Sequence, residues 1–532
     1  MRTPLLFAFM ISLAVPLGSF AQSTFQKACG STGNDEAGAT VLTNDGAIAS
    51  AGVTSHPAFW TGDIWVYDAD MYLVKTTMEG DDIWKQRIGS PNRAEKATSL
   101  AKTADGGFIL CGLGTVVSNE TEMLLVKTDS LGQVTWAKSA GRPGYDAARQ
   151  VQQTSDGGYV VAGFHTDTIN SGAICILKFD ENGDTVWTRI FNSDGVAFDE
   201  ANSVQQNSDG DYVITGSVSN AVSAGLCFMK LSNNGSLLWA KSFEGGNDGQ
   251  SICQTQDGGY AILGTHYDPA SENGLYLIRT TALGDTVWTR MYGGPEWAYA
   301  HCVIESSDGG FVLSGGIGSS AGQAEDAYLL KTDSVGSLIW SWSYGAGWGN
   351  DIASSAIEMA DGGVVAAGLT YGTGLGSFDF FLLRTDSSGS TGCNEQVVEV
   401  LSSVPPVTIS DIVFEVTSGF NVDSLSFAAT SFGTSAPICL TTATHEANDD
   451  SAIFIYPNPA SERITISTPG NLGVWSCEIL DLNGKVLLQE RTSSGPTLSI
   501  QVESLDPGSY VVKAIDGHRT YYAKLIVQPG WR

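Results

Sequence analysis

At 532 residues the chain exceeds what one ordinary hydrophobic core holds, so two or more domains are expected. Its 57 acidic against 27 basic residues give a net charge of −30, which argues against a nucleic-acid backbone or an anionic membrane surface as partner. Only 16% of residues are charged while 63 are glycine, a balance that favours strands joined by tight turns over helices.

Residues 1–21 read as a signal peptide: Arg2 is the only charge, Leu5–Leu17 is apolar, and Ser19-Phe20-Ala21 fits small-x-small cleavage. That apolar run is too short to span a bilayer, and no later segment approaches about 20 apolar residues. The mature chain, from Gln22, is therefore expected outside the inner membrane with no transmembrane segment.

From Gln22 to Cys393 the chain repeats. An Asp-Gly turn recurs at Asp45, Asp105, Asp156, Asp209, Asp257, Asp308 and Asp361, in steps of 60, 51, 53, 48, 51 and 53 residues. Short apolar or alternating runs flank each one, as in Arg149–Gln153 and Tyr159–Phe164, which is a hairpin signature. A second hairpin follows. Its first strand ends in Lys75, Lys127, Lys178, Lys230, Arg279, Lys331 or Arg384. Five positions on stands Gly80, Gly132, Gly183, Gly235, Gly284, Gly336 or Gly389. In six units a tryptophan follows nine positions after the base, at Trp84, Trp136, Trp187, Trp239, Trp288 and Trp340.

Glycine at one fixed offset implies a backbone conformation other residues adopt at a cost, and each tryptophan would wedge between adjacent units. Four strands per repeat of roughly 50 residues is the size of a propeller blade. The seventh unit lacks its tryptophan, and Thr24–Gly30 aligns with the strand Val287–Gly293. The N-terminal strand is thus expected to complete the last blade, with Phe25 in the tryptophan slot. The fold expected is all-β: a seven-bladed β-propeller over 22–393, followed by a C-terminal immunoglobulin-like β-sandwich over 446–532. Residues 394–445, rich in Ser, Thr and Val, are either a linker or a small strand-rich extension.

The repeats resemble the DGG-containing propeller-like repeats of secreted Bacteroidetes proteins, a resemblance that speaks for fold and implies no uniform activity. In the last segment Tyr456-Pro457-Asn458-Pro459, the run Ile479–Leu487, Gly508-Ser509-Tyr510 and Lys524–Val527 look like a type A sorting domain of the type IX secretion system. That likeness implies the type IX machinery as a partner and passage to the cell surface or the medium.

Nine cysteines do not form a disulfide framework by spacing. Cys175 and Cys227 sit in apolar strands and read as small core residues. Cys393 and Cys439 bracket the region after the repeats as one candidate pair, with Cys29 competing for Cys393.

Chemistry is less legible. A carboxylate stands ten residues before most of the turn aspartates, at Asp35, Glu95, Asp146, Asp199 and Asp351, with Asp248 and Glu296 near equivalent places. These form either a ring for a cation or basic ligand, or a set of caps that accept hydrogen bonds from loop backbone. The seven bases are expected to pair with turn acids two positions on, such as Asp129, Asp180, Asp333 and Asp386. Residues that break the repeat are the better ligand candidates: His165, His266 and His301, with Trp297, Tyr299 and Trp348. Such aromatics stack on sugar rings, and a histidine beside an acid serves acid–base chemistry. Gly318–Gly322 matches a nucleophile elbow by letters alone, without the strand-to-helix context the elbow needs. No metal set or cofactor motif is implied. The expected function is binding of an extracellular glycan or protein by the propeller. The alternative is a secreted polysaccharide hydrolase or lyase acting at the channel mouth.

Overall fold

A computed structural model describes residues 23–442 and 454–527. Within these it leaves out 32, 56–58, 61–64, 67–68, 91–92, 116–119, 167–171, 194–197, 220–223, 245, 247, 267–272, 295–296, 319–323, 346–348, 372–377, 406, 432–433, 457–462, 468–475, 481–484, 492–496, 506–507 and 516–519. The expected signal peptide therefore lies outside the described residues. These residues are all-β, and they divide into two compact units, Thr24–Thr441 and one built on Thr442–Arg532.

In the first unit, antiparallel groups of four strands follow one another in chain order, numbered as sheets 1 to 7, and sheets 2 and 3 are joined into one ten-stranded sheet by the parallel pair Thr121 and Tyr145. Sheets 1 to 6 draw four strands each from 35–89, 95–141, 145–192, 200–243, 248–294 and 298–344, consecutive in all but sheet 1, where the small hairpin of Phe59–Trp60 and Trp65–Val66 intervenes. Sheet 7 takes Ile352–Glu358, Val364–Tyr371 and Phe378–Arg384, then receives Ser23–Gly30 as its fourth strand, with Phe25 opposite Arg384. Successive sheets share apolar cores. One core joins sheets 3 and 4 through Val160, Ile176, Val204 and Met229. Another joins sheet 7 to sheet 1 through Phe25, Phe380 and Leu382 on one side and Ile48, Tyr72 and Val74 on the other. The order of the sheets is therefore cyclic.

The turn chemistry explains the glycine pattern. Gly46 and its six counterparts have φ between +78° and +86°, while no Asp of these turns has a positive φ. Gly46 N donates to Thr43 O and Thr43 N to Ala47 O. That is a type I turn closed by a glycine bulge rather than a turn with two left-handed residues. In the second hairpin, Gly235 at φ +79° lies against the ring of Trp187 from the preceding sheet, where an added Cβ would sit 3.0 Å from the indole. The same contact recurs around the unit. It ends with Phe25 of sheet 7 against Gly80 of sheet 1, where the phenyl ring replaces the indole. The tryptophans are half-buried, and Trp84, Trp136, Trp187 and Trp288 pack edge-on against fully buried rings of the next sheet, as Trp136 does on Tyr159 at 5.7 Å and 66°.

Residues 395–442 add a fifth strand to every sheet. Glu395–Val397 pairs with sheet 6, Leu401–Ser403 with sheet 5, Ile409–Asp411 with sheet 4 and Glu415–Thr417 with sheet 3. Asn421–Leu425 then joins sheet 2, Ala428–Ser431 sheet 1 and Thr434–Thr442 sheet 7. This belt runs against the order of the sheets. Its larger apolar residues wedge into the inter-sheet cores: Phe420 between sheets 2 and 3, Phe414 between sheets 3 and 4. Burying one phenylalanine so completely contributes roughly 1.5–3 kcal/mol. Cys393, at the head of the belt, is disulfide-bonded. Cys29 is a free, buried thiol that accepts a 3.0 Å hydrogen bond from Ser435, so the competing Cys29–Cys393 pairing is corrected. The Cys439 side chain lies outside the described residues.

The second unit is two antiparallel sheets around one core. Phe454–Tyr456, Arg463–Ser467 and Thr497–Gln501 form the first, and Val486–Arg491, Ser476–Leu480, Gly508–Ile515 and Thr520–Val527 the second. Alternation along each strand puts Ile464, Ile466, Ile479, Val512 and Leu525 inside.

Candidate functional site

The ring of carboxylates is interior. Asp35, Glu95, Asp146, Asp199 and Asp351 are at most 1% exposed, so a ligand in solvent does not reach them. They hold adjoining loops or, for Asp351, the end of the strand Val364–Tyr371. Asp35 accepts from Ser31 N (2.7 Å), Asp146 from Arg142 N (2.8 Å), Asp199 from Ser193 N (2.8 Å) and Asp351 from Tyr371 N (3.3 Å). Asp248 is half-buried and takes Thr265 N and the Gln250 amide. Burial pushes the Glu95 carboxyl up to about 7, against a hydrogen bond from Ser90 that lowers it. His165 is buried with Nδ1 2.8 Å from Asp146 Oδ1, so it belongs to the same loop-holding set. His266 is half-buried beside Tyr276. Glu296 and Trp348 lie outside the described residues.

The seven bases do not pair as expected. Lys75 meets Asp45 (2.7 Å), Lys127 meets Asp105 (2.7 Å), Lys178 meets Asp156 (3.0 Å), Lys331 meets Asp308 (2.8 Å) and Arg384 meets Asp361 (2.5 Å). Arg279 joins Asp257, and Lys230 lies 3.2 Å from Asp211. The partner is thus the Asp-Gly turn of the neighbouring hairpin in the same sheet. Asp129, Asp180 and Asp333 instead accept from backbone N–H groups of their own turns, as Asp129 does from Leu131 and Gln133. Asp386 does the same with Ser388 and Ser390. The reason is geometric: consecutive side chains alternate across a strand, so a base at a strand end reaches the adjacent turn more easily than its own. The bases are also largely buried along their stems, not exposed.

What distinguishes the sheets lies elsewhere. Every first strand carries a β-bulge, and the seven bulged residues are Gly38, Thr98, Arg149, Asn202, Gln250, His301 and Ser354. A bulge re-aims one side chain and leaves it outside the ladder. All seven line one cavity of about 440 Å³. No two are the same residue type, although the positions are equivalent. Sequence reasoning missed this ring, yet the signal was present: each stands seven residues before its turn aspartate.

The cavity wall is polar and locally neutralised. Lys96 meets Glu36 at 2.6 Å, and Arg149 meets Glu200 at 3.1 Å. Thr98 Oγ1 donates to Ala148 O, and Asn202 Nδ2 to Gly249 O, each reaching the next sheet. His301 differs: its Nε2 is buried with no hydrogen-bond partner, and desolvation lowers its pKa to about 4, so it is neutral at neutral pH. Of the aromatic candidates, Trp297 is 50% exposed and stacks on Tyr299, which in turn meets His301.

In the second unit, Tyr510 is buried in the core at the head of Gly508–Ile515. Tyr456 ends one strand and Lys524 lies within the last, while Pro457, Asn458 and Pro459 lie outside the described residues.

A family model for a secretion system C-terminal sorting domain matches residues 454–528. That segment is a type IX sorting domain, and it implies delivery to the outer surface or the medium. Among curated proteins, none matches the chain. Among solved structures, a protein of unknown function from Bacteroides caccae is 13% identical with a TM-score of 0.35, covering 55% of this chain and 93% of its own. Sqt1 of Chaetomium thermophilum is 10% identical with a TM-score of 0.36, over 71% and 88% of the two chains. PorZ of Porphyromonas gingivalis, a surface component of the type IX secretion system, is 9% identical with a TM-score of 0.15, over 95% and 100%. At TM-scores of this size the likenesses say nothing of this chain's architecture or ligand.

Proposed function

We propose that the chain is an exported binding protein: a seven-bladed β-propeller over 22–393 with its belt, carried outward by an immunoglobulin-like sorting sandwich over 446–532. The cyclic order of sheets and the entry of Ser23–Gly30 into sheet 7 support the propeller. The ligand is an extracellular glycan or protein segment that enters the cavity of the first unit. The observation that carries this reading is the ring of seven dissimilar bulge residues lining one cavity, in a chain whose turn aspartates, strand-end bases and turn glycines repeat. Residues kept for folding stay alike from repeat to repeat, whereas residues that read a ligand differ with the part of the ligand they face. The carboxylates Glu36 and Glu200 are each tied to a base, which suits binding better than acid–base turnover.

The test is a glycan and peptide array probed with the mature chain, followed by the double variant Asn202→Ala/Gln250→Ala. Loss of the captured ligand with an unchanged melting temperature supports the cavity as the site. Retention of full affinity, or turnover of a polysaccharide, overturns the reading. For export, removal of residues 446–532 is expected to hold the protein in the periplasm, and normal delivery of that truncation to the medium would refute the sorting role.

A further inference from the structure

Sheet 6 departs from the other sheets in a coordinated way. Its first strand, Ala298–Glu305, and the residue just before it bring Trp297, Tyr299 and His301 into a row. Trp297 and Tyr299 stack with centroids 5.6 Å apart and planes 28° apart, and His301 meets Tyr299 edge-on at 5.4 Å. The row runs from a ring half in solvent to a side chain in the cavity wall. The second strand is adapted to it. A Cβ on Gly316 would fall 2.5 Å from the Tyr299 hydroxyl oxygen, and one on Gly318 would fall 2.9 Å from the Trp297 indole nitrogen. The two rings therefore lie directly on bare backbone. At the corresponding places in sequence, eight and ten residues after the turn aspartate, the other repeats have Val53 and Ser55, Leu113 and Thr115, Phe164 and Thr166, Ser217 and Ser219, Thr265 and Tyr267, and Leu369 and Tyr371. Of the seven repeats, the sixth alone has glycine at both places. Two aromatic residues at the start of one strand, Trp297 and Tyr299, and two glycines on its neighbour make one platform. The Tyr299 hydroxyl is fixed by Glu325 Oε2 at 2.5 Å, which sets the tilt of the ring.

We propose that this row is a saccharide subsite: a neutral sugar ring stacks on Trp297 at the entrance, and the chain it belongs to enters the cavity, where a hydroxyl bonds to His301 Nε2. The chemistry of the wall selects the class. An aromatic face matches the C–H face of a pyranose, and a neutral imidazole with an unpartnered buried nitrogen calls for a hydroxyl. Lys96 and Arg149 are each charge-balanced by a glutamate, Glu36 and Glu200, which disfavours a uronate, a sulfate or an amine, while the buried Arg149 Nε–H, which has no hydrogen-bond partner, offers a second contact for a hydroxyl. Amide and hydroxyl groups at Asn202, Gln250 and Ser354 complete a wall suited to neutral hydroxyls.

This inference rests on the cavity being a ligand site, and the experiment separates the two. Neutral hexose oligomers (gluco-, manno- and galacto-series) are titrated into the mature chain, with uronate and sulfated oligomers as the charged arm, and binding is read by calorimetry and tryptophan fluorescence. A neutral oligomer is expected to bind and to change the fluorescence. Trp297→Ala and His301→Ala should each weaken binding about tenfold or more, with the melting temperature held, while His301→Asn retains part of the affinity through its amide. A ligand that depends on Asn202 and Gln250 but is indifferent to Trp297 overturns the saccharide subsite and leaves the cavity reading standing. Binding confined to the charged arm overturns it as well. Absence of any ligand from sugar and peptide libraries overturns both.

Discussion

Gly235 and Gly258 have nearly the same backbone conformation, φ +79° and +85°, but different surroundings, and that difference yields a sharp test. An Ala at either site carries a methyl into the left-handed region at a cost of about 1–2 kcal/mol. At Gly258 nothing lies within 4 Å of the new Cβ, so the cost ends there. At Gly235 the Cβ meets Trp187 at 3.0 Å, and Arg189 lies over that indole at 5.4 Å, so the ring has little freedom to retreat. Overpacking of this kind adds about 1–3 kcal/mol. Gly258→Ala should thus lose about 1–2 kcal/mol, and Gly235→Ala about 2–5 kcal/mol. Guanidinium unfolding of the mature chain, followed by tryptophan fluorescence, measures both. In a Trp187→Ala background the excess at Gly235 should disappear, because the indole that causes it is gone. Equal losses in the two variants, or an excess that survives without Trp187, would refute the view that these glycines make room for the wedge between sheets.

Other expectations follow from the same geometry. Glu95 titrates near 7 in the folded chain against an ordinary value of 4.5, so the stability tied to its protonated form is complete below about 4.5 and is lost as pH rises through 7. Glu95→Gln should flatten the melting temperature between pH 4.5 and 8; a profile that keeps the native slope would show that burial of this carboxyl is not the cause. Asp45 is the opposite case: hydrogen bonds from Lys75 and Thr43 hold it at about 2, so its contribution is present above about 3.8 and fades as pH falls through 2. Asp45→Asn should remove part of the acid limb of the stability curve, and an identical limb in the variant would count against the pairing. Phe414→Ala empties a wedge between sheets 3 and 4 and should cost about 3–5 kcal/mol, read as a lowered guanidinium midpoint. A loss below 1 kcal/mol would mean that the belt is only loosely applied.

The repeat was legible because its punctuation is chemical. Glycine at fixed offsets and a tryptophan nine residues after a base report backbone angles and packing directly, so strand order and the place of Phe25 could be read from letters. The belt was not legible, because its strands are three to nine residues long and mostly exposed, as Val397, Leu401 and Val416 are, and so lack the alternation that marks a half-buried strand. The partners of the seven bases went wrong for a different reason. Proximity in sequence pointed to Asp129 or Asp180, whereas the hairpin geometry brings the turn of the adjacent strand pair closer. The acids were placed correctly along the chain, but only burial distinguishes a loop cap such as Asp146 from a surface ligand. The bulge residues stood in plain sight at one offset, and their variety hid them from a search for likeness.

The belt has a consequence for how the molecule is finished. Since residues 395–442 supply the outermost strand to every sheet, a nascent or half-delivered chain that ends near residue 390 would present seven raw margins of unpaired peptide groups at once. Sealing begins at sheet 6 and closes over sheet 7, beside the strand that entered first. Only a chain complete to about residue 442 is protected from sticking to its own copies through those margins.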